Sequence, residues 1–207
     1  NALAQFNLGL MYDKGEGVAP DYKRAIKWYR LAAKQNNSQA QFNLGQLYES
    51  GERISQDYNR AVKWYKAAAK NGNELAQFKL GTLFEKGKGA TQSYKKAVKW
   101  YKLAAKQGNE IAQFNLGYMF SRGIGIQRNY QDAVKWYRLS AAQGNIIAQY
   151  NLGVFHVEGK GVRQSYSKAA SWFRLAAKRG DSEAQFRLGM MYEDGDGVEK
   201  NPEKAVR

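Results

Sequence analysis

The hydrophobic and polar positions of this chain repeat with a period of 36 residues. Residues 97–106 read Ala-Val-Lys-Trp-Tyr-Lys-Leu-Ala-Ala-Lys, and close variants return at 25–34, 61–70, 133–142 and 169–178. A period of this size predicts an array of stacked units, each burying its apolar face against its neighbours. We therefore expect a single repeat array made of repeats 1 to 6, at about 1–36, 37–72, 73–108, 109–144, 145–180 and a truncated 181–207.

Each repeat predicts two helices, so the fold class is all-α, an α-solenoid. In the first helix of repeat 1, Ala4, Leu8 and Met11 have the spacing i, i+4, i+7 of one buried helical face. The second helix has a wider apolar face, made of Tyr22, Ala25, Trp28, Tyr29, Ala32 and Ala33. Capping residues mark the helix starts, for example Asn37 before a first helix and Asp57 before a second one.

Glycine and tryptophan recur at fixed positions. A glycine lies inside every first helix, as at Gly45, although glycine there costs about 1 kcal/mol relative to alanine. We infer that a neighbouring helix passes too close for a Cβ. A Gly-x-Gly loop follows each first helix and predicts positive φ angles, except that Arg53 replaces the second glycine in repeat 2, where we expect a reshaped loop. The five tryptophans share one phase, so we expect Trp100→Ala to cost about 3–5 kcal/mol.

The recurring residues resemble the Sel-one-like repeat (SLR) family, relatives of the tetratricopeptide (TPR) repeats. In repeat 1 the pattern is carried by Ala4, Leu8, Gly9, Tyr12, Gly15, Gly17, Val18, Ala25, Trp28, Ala32 and Ala33. The chain departs from it locally, at Arg53, His156, Ala170 and Ser171. The resemblance implies a right-handed α-solenoid of antiparallel helix pairs that serves as a scaffold or adaptor for other proteins. It implies no catalysis and no cofactor. The family occurs in bacterial envelopes, at host–pathogen contacts and in the endoplasmic reticulum, so the resemblance favours a bacterial protein, periplasmic or secreted, without fixing the compartment.

Composition narrows the function classes further. The chain has no cysteine, which excludes disulfides and thiolate metal sites, and no apolar run of about 18 residues that would predict a membrane span. Because the last residue, Arg207, falls inside a helix that runs longer in the other repeats, we expect the chain to be a segment of a longer array. His156 is the single histidine and occupies an aromatic phase, so a core role is favoured over a metal site or a triad.

The net charge of +15 has a regular origin in the second helices. A cationic stripe is formed by Lys27, Arg30, Lys34, Lys63, Lys66, Lys70, Lys99, Lys102, Lys106, Lys135, Arg138, Arg174 and Lys178. It lies opposite the Tyr/Ala packing face and should face solvent. Two interpretations remain open: a solvated outer face, which is favoured, or a surface that binds nucleic acid or another anionic surface.

The first helices carry a second stripe, which varies between repeats while the core positions hardly change. In solenoids of this kind the first helices line the concave binding side. The candidate groove residues are Asn43, Gln46, Leu75, Lys79, Thr82, Ile111, Asn115, Tyr118, Arg122, Ile147, Asn151 and Val154. Their mixture of apolar, amide and cationic side chains predicts a protein or peptide partner, including an acidic one, and no small-molecule substrate. Unconstrained surface variation would give the same pattern, and one sequence does not separate the two.

Overall fold

The computed structural model describes residues 1–205 and has twelve α-helices in that range. They fall into two compact units, an N-terminal unit, Asn1–Asn109, and a C-terminal unit, Glu110–Arg207. Arg207, which the sequence places inside a helix, lies outside the described residues. The N-terminal unit holds α1 (Ala2–Lys14), α2 (Tyr22–Lys34), α3 (Ser38–Ser50), α4 (Tyr58–Lys70), α5 (Glu74–Lys86) and α6 (Tyr94–Lys106). The C-terminal unit holds α7 (Glu110–Arg122), α8 (Tyr130–Ala142), α9 (Ile146–Glu158), α10 (Tyr166–Ala177), α11 (Ser182–Asp194) and α12 (Pro202–Ala205).

Each repeat contributes a first and a second helix that pack against each other. Within each compact unit, every helix packs mainly on the helices that precede and follow it in the chain. The predicted caps are present: the side chain of Asn37 accepts from the backbone N–H of Ala40 at 2.8 Å, and Asp57 accepts from Arg60 at 2.9 Å. No helix among the described residues combines the length and apolar character needed to cross a membrane.

The centre of each helix pair is a buried aromatic ring of the second helix. Tyr29, Tyr65, Tyr101 and Tyr137 are at most 1% exposed, and Phe173 takes the same place in repeat 5. A Cβ added to Gly45 would lie 2.5 Å from the Tyr65 ring, and the equivalent glycines of repeats 1 and 3 to 5 approach their rings as closely. The close approach inferred from the recurring glycine is therefore confirmed, and the group that requires it is the ring.

The tryptophans are less buried than the sequence analysis assumed. All five are half-buried, while the aromatic residue that follows each of them is fully buried. Adjacent helical residues point about 100° apart, so the tyrosine faces the glycine of its first helix while the indole points in another direction. The indole of Trp64 packs against the buried cluster that includes Ala32, Ala33 and Ala40. The full burial assumed for the indole is therefore wrong, while the cost of about 3–5 kcal/mol for Trp100→Ala stays a prediction; we expect a cost of this size for truncation of the fully buried Tyr101 as well.

The apolar face predicted for α1 is also less buried than expected. Ala4 and Met11 are exposed, whereas their equivalents one repeat later, Ala40 and Leu47, are buried and half-buried. The reason is that no described helix precedes α1, and the first helices of later repeats within a unit are covered by the preceding helix pair.

The loop of repeat 2 is reshaped as predicted. Within residues 1–205, Asn36 is the single non-glycine residue with positive φ, so Arg53 does not adopt the conformation of the glycine that it replaces. Its guanidinium lies 4.0 Å from the centre of the Tyr22 ring and pairs with Asp13. In repeat 3 the equivalent glycine is required, because a Cβ on Gly89 would overlap the backbone of Tyr58.

Candidate partner-binding site

The twelve candidate groove residues, which we call the first-helix face, lie on α3 and α5 of the N-terminal unit and on α7 and α9 of the C-terminal unit. All are at least partly accessible. Gln46, Leu75, Ile111, Tyr118, Arg122 and Ile147 are exposed, and Asn43, Lys79, Thr82, Asn115, Asn151 and Val154 are half-buried. That these residues bind a partner stays a prediction.

Large aliphatic side chains protrude from the first-helix face at the third position of a repeat. Leu75 is 47% exposed, Ile111 is 50% exposed and Ile147 is 55% exposed. Ile111 and Ile147 occupy the first helices of two successive repeats in the C-terminal unit, where Tyr118 is 42% exposed as well. Exposed apolar side chains that recur together mark interaction surfaces more often than isolated ones do.

A pocket indents the first-helix face of the N-terminal unit between α1 and α3. Its volume is about 520 Å³. It is lined by Leu10, Asp13, Lys14, Tyr29, Asn43, Gln46, Leu47, Ser50, Glu52 and Arg53. We call it the N-terminal pocket; it includes the candidates Asn43 and Gln46.

An equivalent pocket lies three repeats later, in the C-terminal unit, between α7 and α9. Its volume is about 220 Å³. It is lined by Tyr118, Ser121, Arg122, Tyr130, Tyr137, Asn151, Val154, Phe155, Glu158 and Lys160. We call it the C-terminal pocket; it brings together the candidates Tyr118, Arg122, Asn151 and Val154.

The floor of this face carries a tyrosine–carboxylate pair in each of the first three repeats. The phenol of Tyr29 donates to Asp13 at 3.0 Å, and the phenol of Tyr65 donates to Glu49 at 2.6 Å. Tyr101 donates to Glu85 at 2.6 Å in the same way. Burial, and after it the adjacent carboxylate, raises the pKa of Tyr29 and of Tyr65, so both phenols remain donors.

Two of these carboxylates also hold a cation from the next repeat. Arg53 pairs with Asp13, and the ammonium of Lys79 lies 3.0 Å from Glu49. Lys79, predicted as a groove residue, is therefore partly engaged within the chain. The sequence analysis missed the acids of this layer, although their recurrence at one phase, Asp13, Glu49 and Glu85, was a signal that could have found them.

The C-terminal pocket lacks that acid. Ser121 occupies its position and donates its hydroxyl to the carbonyl of Tyr118 at 2.7 Å. Burial raises the pKa of Tyr137 to about 12, against an opposing hydrogen bond from Ser121. Lys160 pairs with Glu158 at 2.8 Å, while Arg122 forms no ion pair with any residue in 1–205.

His156 is buried, with 2% of its surface exposed, and belongs to the core as the sequence favoured. Burial lowers the pKa of His156, and the positive charges of Arg138 and Lys168 lower it further, against a backbone hydrogen bond at Arg163. Its Nδ1 has no hydrogen-bond partner among the described residues. Over residues 1–205 no cluster of His, Asp or Glu has an arrangement that would hold a metal ion.

The cationic stripe of the second helices is not wholly free in solvent. Lys27, Lys63 and Lys99 are exposed as predicted. The middle cation instead reaches the next repeat: Arg30 donates to the Tyr48 hydroxyl at 2.9 Å, and Arg174 does the same to Tyr192 at 3.1 Å. The ammonium of Lys66 lies 5.6 Å from the centre of the Phe84 ring. Part of the stripe therefore joins neighbouring repeats, which explains why the charge recurs at that phase.

Comparison with known proteins gives one consistent result. The family model for the Sel1 repeat matches residues 2–37, 38–73, 75–109, 111–145, 146–181 and 182–207. No curated protein matches the chain.

Solved structures that are similar to it include the following two. One is a protective antigen present in uropathogenic Escherichia coli strains, which displays an SLR fold; it is 41% identical over 99% of this chain, with a TM-score of 0.92. The chain spans 44% of that protein's length. The other is a Sel1 repeat protein from Oxalobacter formigenes, 33% identical over 100% of this chain and 82% of its own, with a TM-score of 0.86. Together with the paired helices, these likenesses confirm the all-α repeat fold predicted from the sequence.

Proposed function

The chain belongs to the Sel1 repeat family, and from that premise we propose that its first-helix face binds a segment of a partner protein. Proteins of this family are typically non-enzymatic scaffolds for protein–protein interaction. The observation that carries the proposal is the contrast between an unchanging core and an accessible, varied face. The buried ring of the second helix and the glycine of the first helix recur from repeat to repeat. The accessible residues of the first helices change between repeats.

The C-terminal unit offers the most developed part of that face. Ile111, Tyr118 and Ile147 are exposed there, and Asn115 and Asn151 supply amide groups beside them. Tyrosine is among the residues that are enriched at energetically dominant interface positions, and a rim of amides and charges fixes orientation. A segment that spans these helices would bury apolar side chains and satisfy its own polar groups at the same time.

The test is capture of partners from a lysate of the source organism, read by mass spectrometry. The wild-type chain serves as one bait and the double variant Tyr118→Ala with Asn115→Ala as another. We expect the double variant to lose the specifically captured proteins by about tenfold or more, since loss of a dominant interface side chain costs at least about 1.4 kcal/mol.

The matched control is Lys63→Ala with Lys99→Ala, which changes two exposed cations of the second helices. This variant should retain every partner. If the face variant keeps all partners while folding normally by circular dichroism, the proposal is wrong.

A second candidate function is nucleic-acid or anionic-surface binding by the second helices. The observation in its favour is a depression of about 550 Å³ in the N-terminal unit, lined by Asn36, Asn59, Val62, Lys63, Lys66, Ala67, Lys70, Asn71 and Gly89. Three lysines in one concavity would contact phosphates, and affinity would then fall by about tenfold or more between 50 and 200 mM salt. No retention of single- or double-stranded nucleic acid at low salt eliminates this candidate.

A further inference from the structure

In repeats 1 to 5, the buried phenol of the second helix and the carboxylate to which it donates are present or absent together, with one exception. Repeats 1 to 3 have both, as the pairs Tyr29–Asp13, Tyr65–Glu49 and Tyr101–Glu85. Repeat 5 has neither, because Phe173 replaces the tyrosine and Val157 replaces the acid. A ring without a hydroxyl needs no acceptor, so the joint loss is chemically consistent.

Repeat 4 breaks this rule by keeping the phenol of Tyr137 without the carboxylate. The side chain at the acid's position is Ser121, which has a hydroxyl in place of the carboxylate and donates it to the backbone carbonyl of Tyr118 at 2.7 Å. The space that an acid would fill belongs to the C-terminal pocket of about 220 Å³, which Tyr137 and Ser121 both line.

The charge of this pocket differs from that of its equivalent in the N-terminal unit. Among the residues lining the N-terminal pocket, Asp13 and Glu52 balance Lys14 and Arg53. Among those lining the C-terminal pocket, Arg122 and Lys160 face a single acid, Glu158. The ion pair between Lys160 and Glu158 leaves the guanidinium of Arg122 without a carboxylate partner in the described chain. An excess positive charge beside the buried phenol of Tyr137 and the amide of Asn151, which both line the pocket, favours an anionic group that accepts hydrogen bonds.

We propose that the C-terminal pocket receives the side-chain carboxylate of a glutamate or aspartate from the partner protein, in the place that Asp13, Glu49 and Glu85 hold within repeats 1 to 3. This inference rests on the proposed function, because it assigns the partner's chemistry at one point of the first-helix face. Tyr137 donates to the carboxylate as Tyr65 does to Glu49, and the cation from Arg122 takes the part of Lys79 in that pair. Tyr118 and Val154 flank the pocket and would contact the methylene groups of the incoming side chain.

The test is a titration of the ¹⁵N-labelled chain with N-acetyl-glutamate methylamide, followed by amide chemical shifts. The neutral isostere N-acetyl-glutamine methylamide is the matched probe. We expect the glutamate probe to bind weakly, in the millimolar range, and to shift the amides of the pocket-lining residues of α7 and α9. The glutamine probe should bind at least about tenfold more weakly, as expected for loss of a charge-assisted hydrogen bond.

Two variants and one control test whether the carboxylate of the probe occupies the position of the missing acid. Ser121→Glu supplies the acid from within the chain and should abolish probe binding while keeping or raising the melting temperature. Tyr137→Phe should weaken the glutamate probe by about tenfold, since it removes one hydrogen bond to a charged acceptor. Tyr101→Phe, which removes the phenol of a repeat that already has its acid, is the matched control and should leave probe affinity unchanged.

Equal binding of the two probes, or undiminished glutamate binding by Ser121→Glu, would overturn the inference. Its failure is distinguishable from failure of the proposed function. Partner capture that depends on Tyr118 and Asn115, without a selective response to the glutamate probe, refutes the carboxylate assignment and leaves the interaction face standing.

Discussion

Ser140 stands where four other repeats have alanine, and its hydroxyl is a buried polar group without a partner. The side chain is fully buried, and its Oγ has no hydrogen bond to any described residue. Such a group carries a desolvation cost of about 1–3 kcal/mol, and alanine is also the better helix former. We expect Ser140→Ala to raise the free energy of unfolding by about 1–2 kcal/mol in urea titrations. Ser171→Ala is the control: it changes an exposed serine and should have a much smaller effect.

His156 is the residue at which stability should depend on pH. Two cations face its ring, Arg138 from α8 and Lys168 from α10, and they add to burial in lowering the pKa of His156. Below about pH 6.5 His156 is protonated in the unfolded chain, whereas its lowered pKa keeps the ring neutral to a lower pH in the folded chain. The stabilising contribution of the neutral ring is therefore complete above that pH and is lost as the pH falls.

The variant His156→Phe restores the aromatic type found at this phase in Phe84 and Phe120. Its advantage in stability over the wild type should grow on going from pH 7.5 to pH 5, by no more than about 1.4 kcal/mol per pH unit below 6.5. Urea denaturation at the two pH values measures this difference. A constant difference would show that His156 titrates normally in the folded chain.

At the scale of the helix pair, the glycine of the first helix and the ring of the second form one packing unit. Gly45→Ala would normally stabilise a helix by about 1 kcal/mol. Here the new methyl group would lie 2.5 Å from the Tyr65 ring, so we expect instead a loss of about 2–3 kcal/mol from overpacking. Thermal or urea unfolding of the variant measures whether the substitution lowers or raises the free energy of unfolding.

The neighbouring residue provides the control for this sign reversal. Gln46 is exposed on the same helix, so Gln46→Ala should change the free energy of unfolding by about 0.5 kcal/mol or less. A stabilised Gly45→Ala variant would mean that the ring yields easily and that the glycine is retained for another reason.

Most of the helix-pair architecture was predictable from the sequence because its causes are local and repeated. Period, capping residues and turn glycines act within a few residues, and each was present several times. The burial of Tyr101 rather than Trp100 was not predictable in this way. Both side chains are aromatic and recur in nearly every repeat, and the choice depends on a rotation of about 100° that only the position of the partner helix decides.

The candidate site was predictable to a lesser degree. Variation between repeats correctly located accessible positions such as Ile111 and Tyr118, because surface residues are free to change. It did not identify the layer beneath them, where Tyr65 and Glu49 meet across two helices that are separate in sequence. Nor did it separate Lys79, which forms an ion pair, from Arg122, which forms none within residues 1–205.

At the scale of the whole molecule, coupling between helices runs along the chain. Within each compact unit the main contacts join successive helices. A destabilising substitution should therefore lower the stability of the adjacent helices most strongly. Leu152 is fully buried in α9, near the middle of the C-terminal unit, and Leu152→Ala should cost about 2–5 kcal/mol locally. We expect amide hydrogen exchange to show lost protection in α8, α9 and α10, with α1 to α6 of the N-terminal unit retaining wild-type protection.

Leu139→Ala, which truncates a leucine that is 43% exposed on α8, should leave both units protected. Equal loss of protection in every helix of Leu152→Ala would mean that the two units unfold as one cooperative body, against the nearest-neighbour coupling that the contacts imply.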